Sequence, residues 1–160
     1  MTKHDISISR VAVFFGLTLA AACGNDGKDV VVHNVGNMCV YPASEPNENP
    51  FLGDTTPRDY AEGEIANLAV LFELCLSGSC TTNRVATCTA MQEGNVFTID
   101  ATASYHDTGA STCTTDCALM IARCQTPPLP AGSYTFSFAH FGTNLTIPST
   151  ATPPCAGSQH

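Results

Sequence analysis

From Cys39 onward, apolar and polar residues alternate in short runs separated by turn-forming residues. The longest run sets Leu68, Val70, Phe72, Leu74 and Leu76 against Ala69, Leu71, Glu73 and Cys75, a period of two that predicts a strand with one buried face. Ile65, Leu68, Ala69 and Phe72 also fall on one helical face, which leaves helix open for part of residues 60–72. Ser77-Gly78-Ser79 ends the run, and residues 84–91 follow with β-branched side chains around Cys88. Glu93-Gly94-Asn95 is a turn signal leading into Val96, Thr98 and Asp100 on one face and Phe97, Ile99 and Ala101 on the other, so this pair reads as a hairpin.

Further along, residues 118–122 are a short apolar run between cysteines, and Pro127-Pro128-Leu129-Pro130-Ala131-Gly132 forces a corner. Tyr134, Phe136 and Phe138 then alternate with Ser133, Thr135 and Ser137, with Gly142-Thr143-Asn144 as the expected turn and Leu145-Thr146-Ile147 as the return strand. Pro42, Pro46, Pro50 and Pro57 make residues 41–59 a long polar loop, because proline removes donors from any ladder. About six or seven short strands between frequent turns predict an all-β fold, an antiparallel β-sandwich that is immunoglobulin-like in the broad sense.

The N-terminus has a different pattern. Lys3 and Arg10 precede residues 11–22, an uninterrupted stretch of uncharged, mostly apolar residues. A membrane-spanning helix needs about 20 such residues, whereas a basic start, a short apolar core and small residues in this order predict a signal peptide over residues 1–22. Leu19-Ala20-Ala21-Ala22-Cys23-Gly24 resembles the lipobox of bacterial lipoprotein precursors, with Leu19 one place earlier than is usual in that family. The resemblance implies acylation of Cys23, cleavage before it and, with Gly24 rather than Asp following, sorting to the outer membrane. Ala20-Ala21-Ala22 also fits ordinary signal-peptidase cleavage, whose product would be secreted and soluble. Residues 24–37 are polar around Val30-Val31-Val32, so residues 23–37 read as a lipidated tether and residues 38–160 as the sandwich domain. Such a tether, if flexible, spans on the order of 20 Å; the valine triplet can instead join the domain as an edge strand.

Charge narrows the partners. Six Lys and Arg stand against fourteen Asp and Glu, a net charge of −8. Binding nucleic acid depends on cations displacing counterions from phosphates, so nucleic acid is excluded as a partner class. The expected contacts are a membrane, through the lipid anchor, and a protein or glycan partner that the sequence does not name.

Nine cysteines give the chain its staples. With Cys23 consumed by lipid, Cys39, Cys75, Cys80, Cys88, Cys113, Cys117, Cys124 and Cys155 form an even set suited to disulfides in an exported protein. If residues 118–122 are extended, Cys117 and Cys124 stand about 23 Å apart, well beyond the roughly 7 Å that a disulfide allows, so each must bond elsewhere. Cys75 with Cys80 across the Ser77-Gly78-Ser79 turn is a feasible pair, as is Cys39 with Cys155 tying the domain ends together. Cys75-x4-Cys80 and Cys113-x3-Cys117 are also conceivable halves of a zinc site, but neither has the usual knuckle spacing and the oxidising compartment favours disulfides, so no metal site is expected.

No nucleophile elbow, zinc-protease helix, phosphate loop or Cys-x-x-Cys redox pair occurs in the chain. No catalytic residues and no cofactor are therefore expected. Tyr105, His106 and Asp107, adjacent at the end of a predicted strand, are the candidate binding residues. The run Cys113-Thr-Thr-Asp-Cys117, Arg123-Cys124, Pro128-Leu-Pro-Ala-Gly-Ser-Tyr134, Ile147-Pro148-Ser149 and Pro154-Cys155 resembles small cysteine-rich lipoproteins of gliding soil bacteria, a group without assigned activity. The expectation is a lipid-anchored protein of the bacterial cell envelope acting as a non-enzymatic binding or structural module. The alternatives are an exported hydrolase with a site near His106, and a thiol- or metal-handling envelope protein.

Overall fold

The structure is a computed structural model that describes residues 27–44 and 56–157, the side chain of Glu73 excepted. The predicted signal peptide and Cys23 lie outside the described residues, as does most of the polar loop expected over 41–59.

The fold is all-β, with eleven strands among the described residues: β1 (Lys28–His33), β2 (Asn37–Pro42), β3 (Arg58–Tyr60), β4 (Ala66–Leu76), β5 (Thr81–Glu93), β6 (Val96–Asp107), β7 (Ala118–Gln125), β8 (Gly132–Phe138), β9 (Phe141–Ile147), β10 (Ser149–Ala151) and β11 (Cys155–Gly157). They form two main sheets. In the first, β5 pairs along one edge of β6, and the other edge is shared end to end by β1, opposite the C-terminal half of β6, and β8, opposite its first residues; β9 lies beyond β8. The second sheet runs β11-β2-β4-β7, and a small β10-β3 ladder stands apart.

The alternation read from the sequence accounts for the core. Leu68, Val70, Phe72 and Leu76 from β4 meet Phe97, Ile99, Ala101 and Ala103 from β6 and Tyr134, Phe136 and Phe138 from β8. Each of these large side chains contributes on the order of 1.5–3 kcal/mol of burial free energy. The helical alternative for residues 60–72 is not taken up: β4 lies between β2 and β7, which satisfy its backbone groups on both edges. The corner at Pro127–Gly132 is held by the Tyr134 hydroxyl, which donates to the Pro130 carbonyl at 2.8 Å. A tyrosine near the start of a strand bonding back over the preceding corner is a recurring device of β-sandwiches.

Three expectations change. The tether does not extend to Asn37: β1 enters the first sheet, Lys28 opposite Asp107 and His33 opposite Thr102. Its valines find an open edge of β6 that residues far along the chain create. The last hairpin turns at Ala139 and His140 rather than at Gly142-Thr143-Asn144, since Phe138 pairs with Phe141 and Gly142 already lies opposite Ser137. Ala139 takes φ of 52° there, a left-handed conformation unusual for alanine and held by the flanking pairing. There are also more strands than expected, because the short ladders of β3, β10 and β11 carry no periodic signal of their own.

The chain first passes from one sheet to the other between β1 and β2. Asn34, at φ 49°, donates from Nδ2 to Asp100 Oδ1 at 2.9 Å and accepts from the Ala101 amide at 2.8 Å, fixing the end of β1 on β6. Gly36 then takes φ of 102° so close to β4 that a Cβ would lie 2.0 Å from the Leu71 carbonyl oxygen. Only glycine fits both demands.

Candidate functional site

β6 ends in the candidate binding residues, and strand alternation separates them. Tyr105 faces inward and packs against the core, so its ring serves burial. His106 projects to the opposite face, where its Nδ1 lies 2.8 Å from Asp29 Oδ1 on β1. A carboxylate can only accept, so the imidazole proton sits on Nδ1 in this pair. Asp107 Oδ1 accepts the Gly109 amide at 3.0 Å, turning the chain out of the strand. The three neighbours in sequence therefore serve three purposes and do not converge on one point in space.

Sequence reading missed Asp29, the partner of His106, because it lies in the presumed tether; the signal was the alternation of Val30 and Val32 with Asp29 and Val31, too short to decide alone. A second pair on the same two strands sets His33 Nε2 3.0 Å from Asp100 Oδ1. Both pairs are solvent-accessible, and exposed pairs of this kind contribute about 0–1 kcal/mol.

Beyond β6, residues 108–117 return across the end of the sandwich and are held there twice over. Cys80 bonds to Cys113 and Cys75 to Cys117. Between these bonds lies a knot of hydroxyls: Ser77 and Ser79 each reach Thr114 Oγ1, at 3.0 and 3.1 Å, and Ser79 Oγ accepts the Thr114 amide at 2.8 Å. Asp116 closes the knot by accepting from the Thr114 hydroxyl and from the Gly78 amide. Those two hydrogen bonds, the Thr114 hydroxyl first, hold its carboxyl below the usual aspartate range.

The cysteines follow the expected logic in part. All eight from Cys39 to Cys155 are paired, as Cys39–Cys155, Cys75–Cys117, Cys80–Cys113 and Cys88–Cys124. Cys39 and Cys155 do join the domain ends, and Cys117 and Cys124 bond elsewhere. The Cys75–Cys80 pair does not form: β4 and β7 run side by side to Leu76 and Ala118, which brings Cys117 to Cys75 and leaves Cys80 facing Cys113. The two short-spaced pairs thus cross-link to each other instead of closing on themselves. Among the described residues, no group of three or more His, Cys, Asp or Glu stands close enough to hold a metal.

Among the described residues, the surface holds depressions of which two are well defined. One of about 330 Å3 is lined by Asn67, Leu68, Arg123, Cys124 and Gln125, where Gln125 Nε2 donates to Asn67 Oδ1 at 2.8 Å. The other, of about 350 Å3, lies between Asp59, Tyr60 and Ala61 and Pro148, Ser149 and Thr150; there the Thr150 hydroxyl donates to Asp59 at 2.6 Å. The first is lined by no carboxylate, and neither is lined by a histidine.

Fold and cysteine pattern together define a class, the disulfide-bonded all-β domain. Comparison with protein-family models, with curated proteins and with solved structures finds no match for the chain.

Proposed function

We propose that the chain is a lipid-anchored protein of the bacterial cell envelope, whose sandwich acts as a non-enzymatic binding or structural module. The observation that carries this reading is the closed pairing of the eight domain cysteines. Four disulfides belong to an oxidising, extracytoplasmic compartment. They use every cysteine but Cys23, the one that directly follows the apolar N-terminal run. Acylation gives that remaining thiol a role that needs no cysteine partner. At about 0.8 kcal/mol per buried methylene, several acyl chains make a practically permanent anchor. Gly24, through the lipoprotein resemblance, favours the outer membrane as its address.

The decisive experiment is mass spectrometry of the mature N-terminus together with fractionation of a Cys23→Ala variant. An acylated Cys23, with membrane attachment or processing lost in the variant, supports the proposal. An unmodified Cys23 terminus in a soluble fraction overturns it in favour of a secreted protein.

A further inference from the structure

We infer that the disulfide-clasped end of the sandwich, built from residues 77–80 and 108–117, faces the lipid headgroups at close range. The inference rests on the lipid-anchor reading and adds an orientation to it.

The argument starts from Gly27. A Cβ there would lie 2.2 Å from the Asp107 carbonyl oxygen and 2.6 Å from His106 Nε2, so the backbone is seated against the end of β6 before β1 begins. Lys28 then pairs with Asp107 and Asp29 with His106. The described chain therefore starts at the clasped end. Only four residue steps separate Gly27 from Cys23, a reach of at most about 14 Å. β6 alone runs 12 residues, about 36–40 Å from that end to the β5–β6 turn at Gly94. A tether much shorter than the body it holds keeps the attached end near the surface.

The chemistry of that end suits headgroups and not the hydrocarbon interior. It presents the hydroxyls of Ser77, Ser79 and Thr114 and the carboxylate of Asp116, tied to one another. The large apolar side chains exposed among the described residues, Val31, Val35, Val85, Met91, Val96, Leu119 and Phe141, all lie outside residues 77–80 and 108–117. Contact without insertion is the consequence. At the far end, the β5–β6 turn is joined to the start of β8 through Asn95 Nδ2 and the Ser133 carbonyl. There too Gly63 donates to the Leu129 carbonyl and Glu64 Oε1 accepts the Ser44 amide, a stitched rim turned away from the bilayer.

The test places the mature chain in lipid nanodiscs containing a paramagnetic headgroup lipid and reads amide line broadening. Two samples are compared, the protein purified from membranes and a chain beginning at Cys23 that carries a synthetic lipid on that thiol. Broadening at Gly78 and Thr114 should exceed that at Gly63 and Gly94 by about tenfold or more, given ends separated by some 36–40 Å. Insertion of about 20 Gly and Ser residues after Gly24 should erase the contrast by freeing the domain. Equal broadening at both ends, stronger broadening at Gly94, or a contrast that survives the insertion overturns the inference. Because the second sample supplies its own lipid, these outcomes stand apart from failure of the native anchor, which mass spectrometry of Cys23 reads independently.

Discussion

Phe97 and Phe136 stand opposite one another in register on β6 and β8, their rings stacked with centroids 5.1 Å apart and planes within 10°. This is the one parallel strand pair among the described strands, and both rings are fully buried. β8 arrives at β6 from across the sandwich, so the contact fastens the last hairpin to the centre of the first sheet. Phe136→Ala should destabilise the domain by about 3–5 kcal/mol, as for other buried phenylalanines. A melting temperature lowered by less than about 5 °C in thermal denaturation would show that the hairpin is held mainly by something else.

Cys88 and Cys124 covalently join β5 of one sheet to β7 of the other. Closing a loop of 36 residues restricts the unfolded chain by about 3–4 kcal/mol in the entropic account. The double change to alanine should lower stability by that order, read from denaturant titration. Thiol reduction of all four bonds should unfold the domain or lower its melting temperature sharply, while a metal chelator should leave it unchanged. Unfolding by chelator with resistance to reductant would reverse the assignment of the cysteines.

Acid should loosen the clasp. The folded carboxyl of Asp116 sits below its ordinary range because the Thr114 hydroxyl and the Gly78 amide bond to its charged form. A depressed folded value means that the stabilisation is present above the unfolded aspartate value of about 3.9 and is lost as pH falls through the folded value. Hydrogen exchange at Gly78, corrected for its intrinsic pH dependence, should accelerate below about pH 4. In Asp116→Asn the acceleration should vanish, because the side chain no longer titrates.

Gly36→Ala should be costly despite adding one methyl group. The left-handed φ and the Leu71 carbonyl 2.0 Å from the new Cβ together predict a loss of about 1–3 kcal/mol. Gly94, whose added Cβ would meet nothing within 4 Å, is the control that carries backbone strain alone. A Gly36→Ala loss no larger than that of Gly94→Ala would show that β4 yields to the methyl.

Local chemistry made much of this fold legible. Glu93-Gly94-Asn95 marks the β5–β6 turn because glycine supplies its φ of 60°, and the alternation of β4, β6 and β8 names the core directly. What stayed hidden depends on partners distant in sequence. Val30-Val31-Val32 leaves tether and edge strand both open until β6 offers an edge, and the parallel pairing of β8 leaves no mark in either strand. Cys75 looks as close to Cys80 as to anything else until β7 is laid beside β4. In the candidate site, adjacency along a strand sends neighbours to opposite faces, so Tyr105 packs against the core while His106 meets Asp29.

The bond between Cys39 and Cys155 spans 116 residues and makes the domain behave like a closed loop toward proteases. A single backbone cut anywhere between these two cysteines, including in the proline-rich stretch around Pro46 and Pro50, leaves both pieces covalently attached. On a non-reducing gel the nicked molecule would still migrate as one chain, and if Cys23 carries lipid, both pieces would stay on the membrane. Damage of that kind would therefore accumulate in place without shedding fragments into the surroundings.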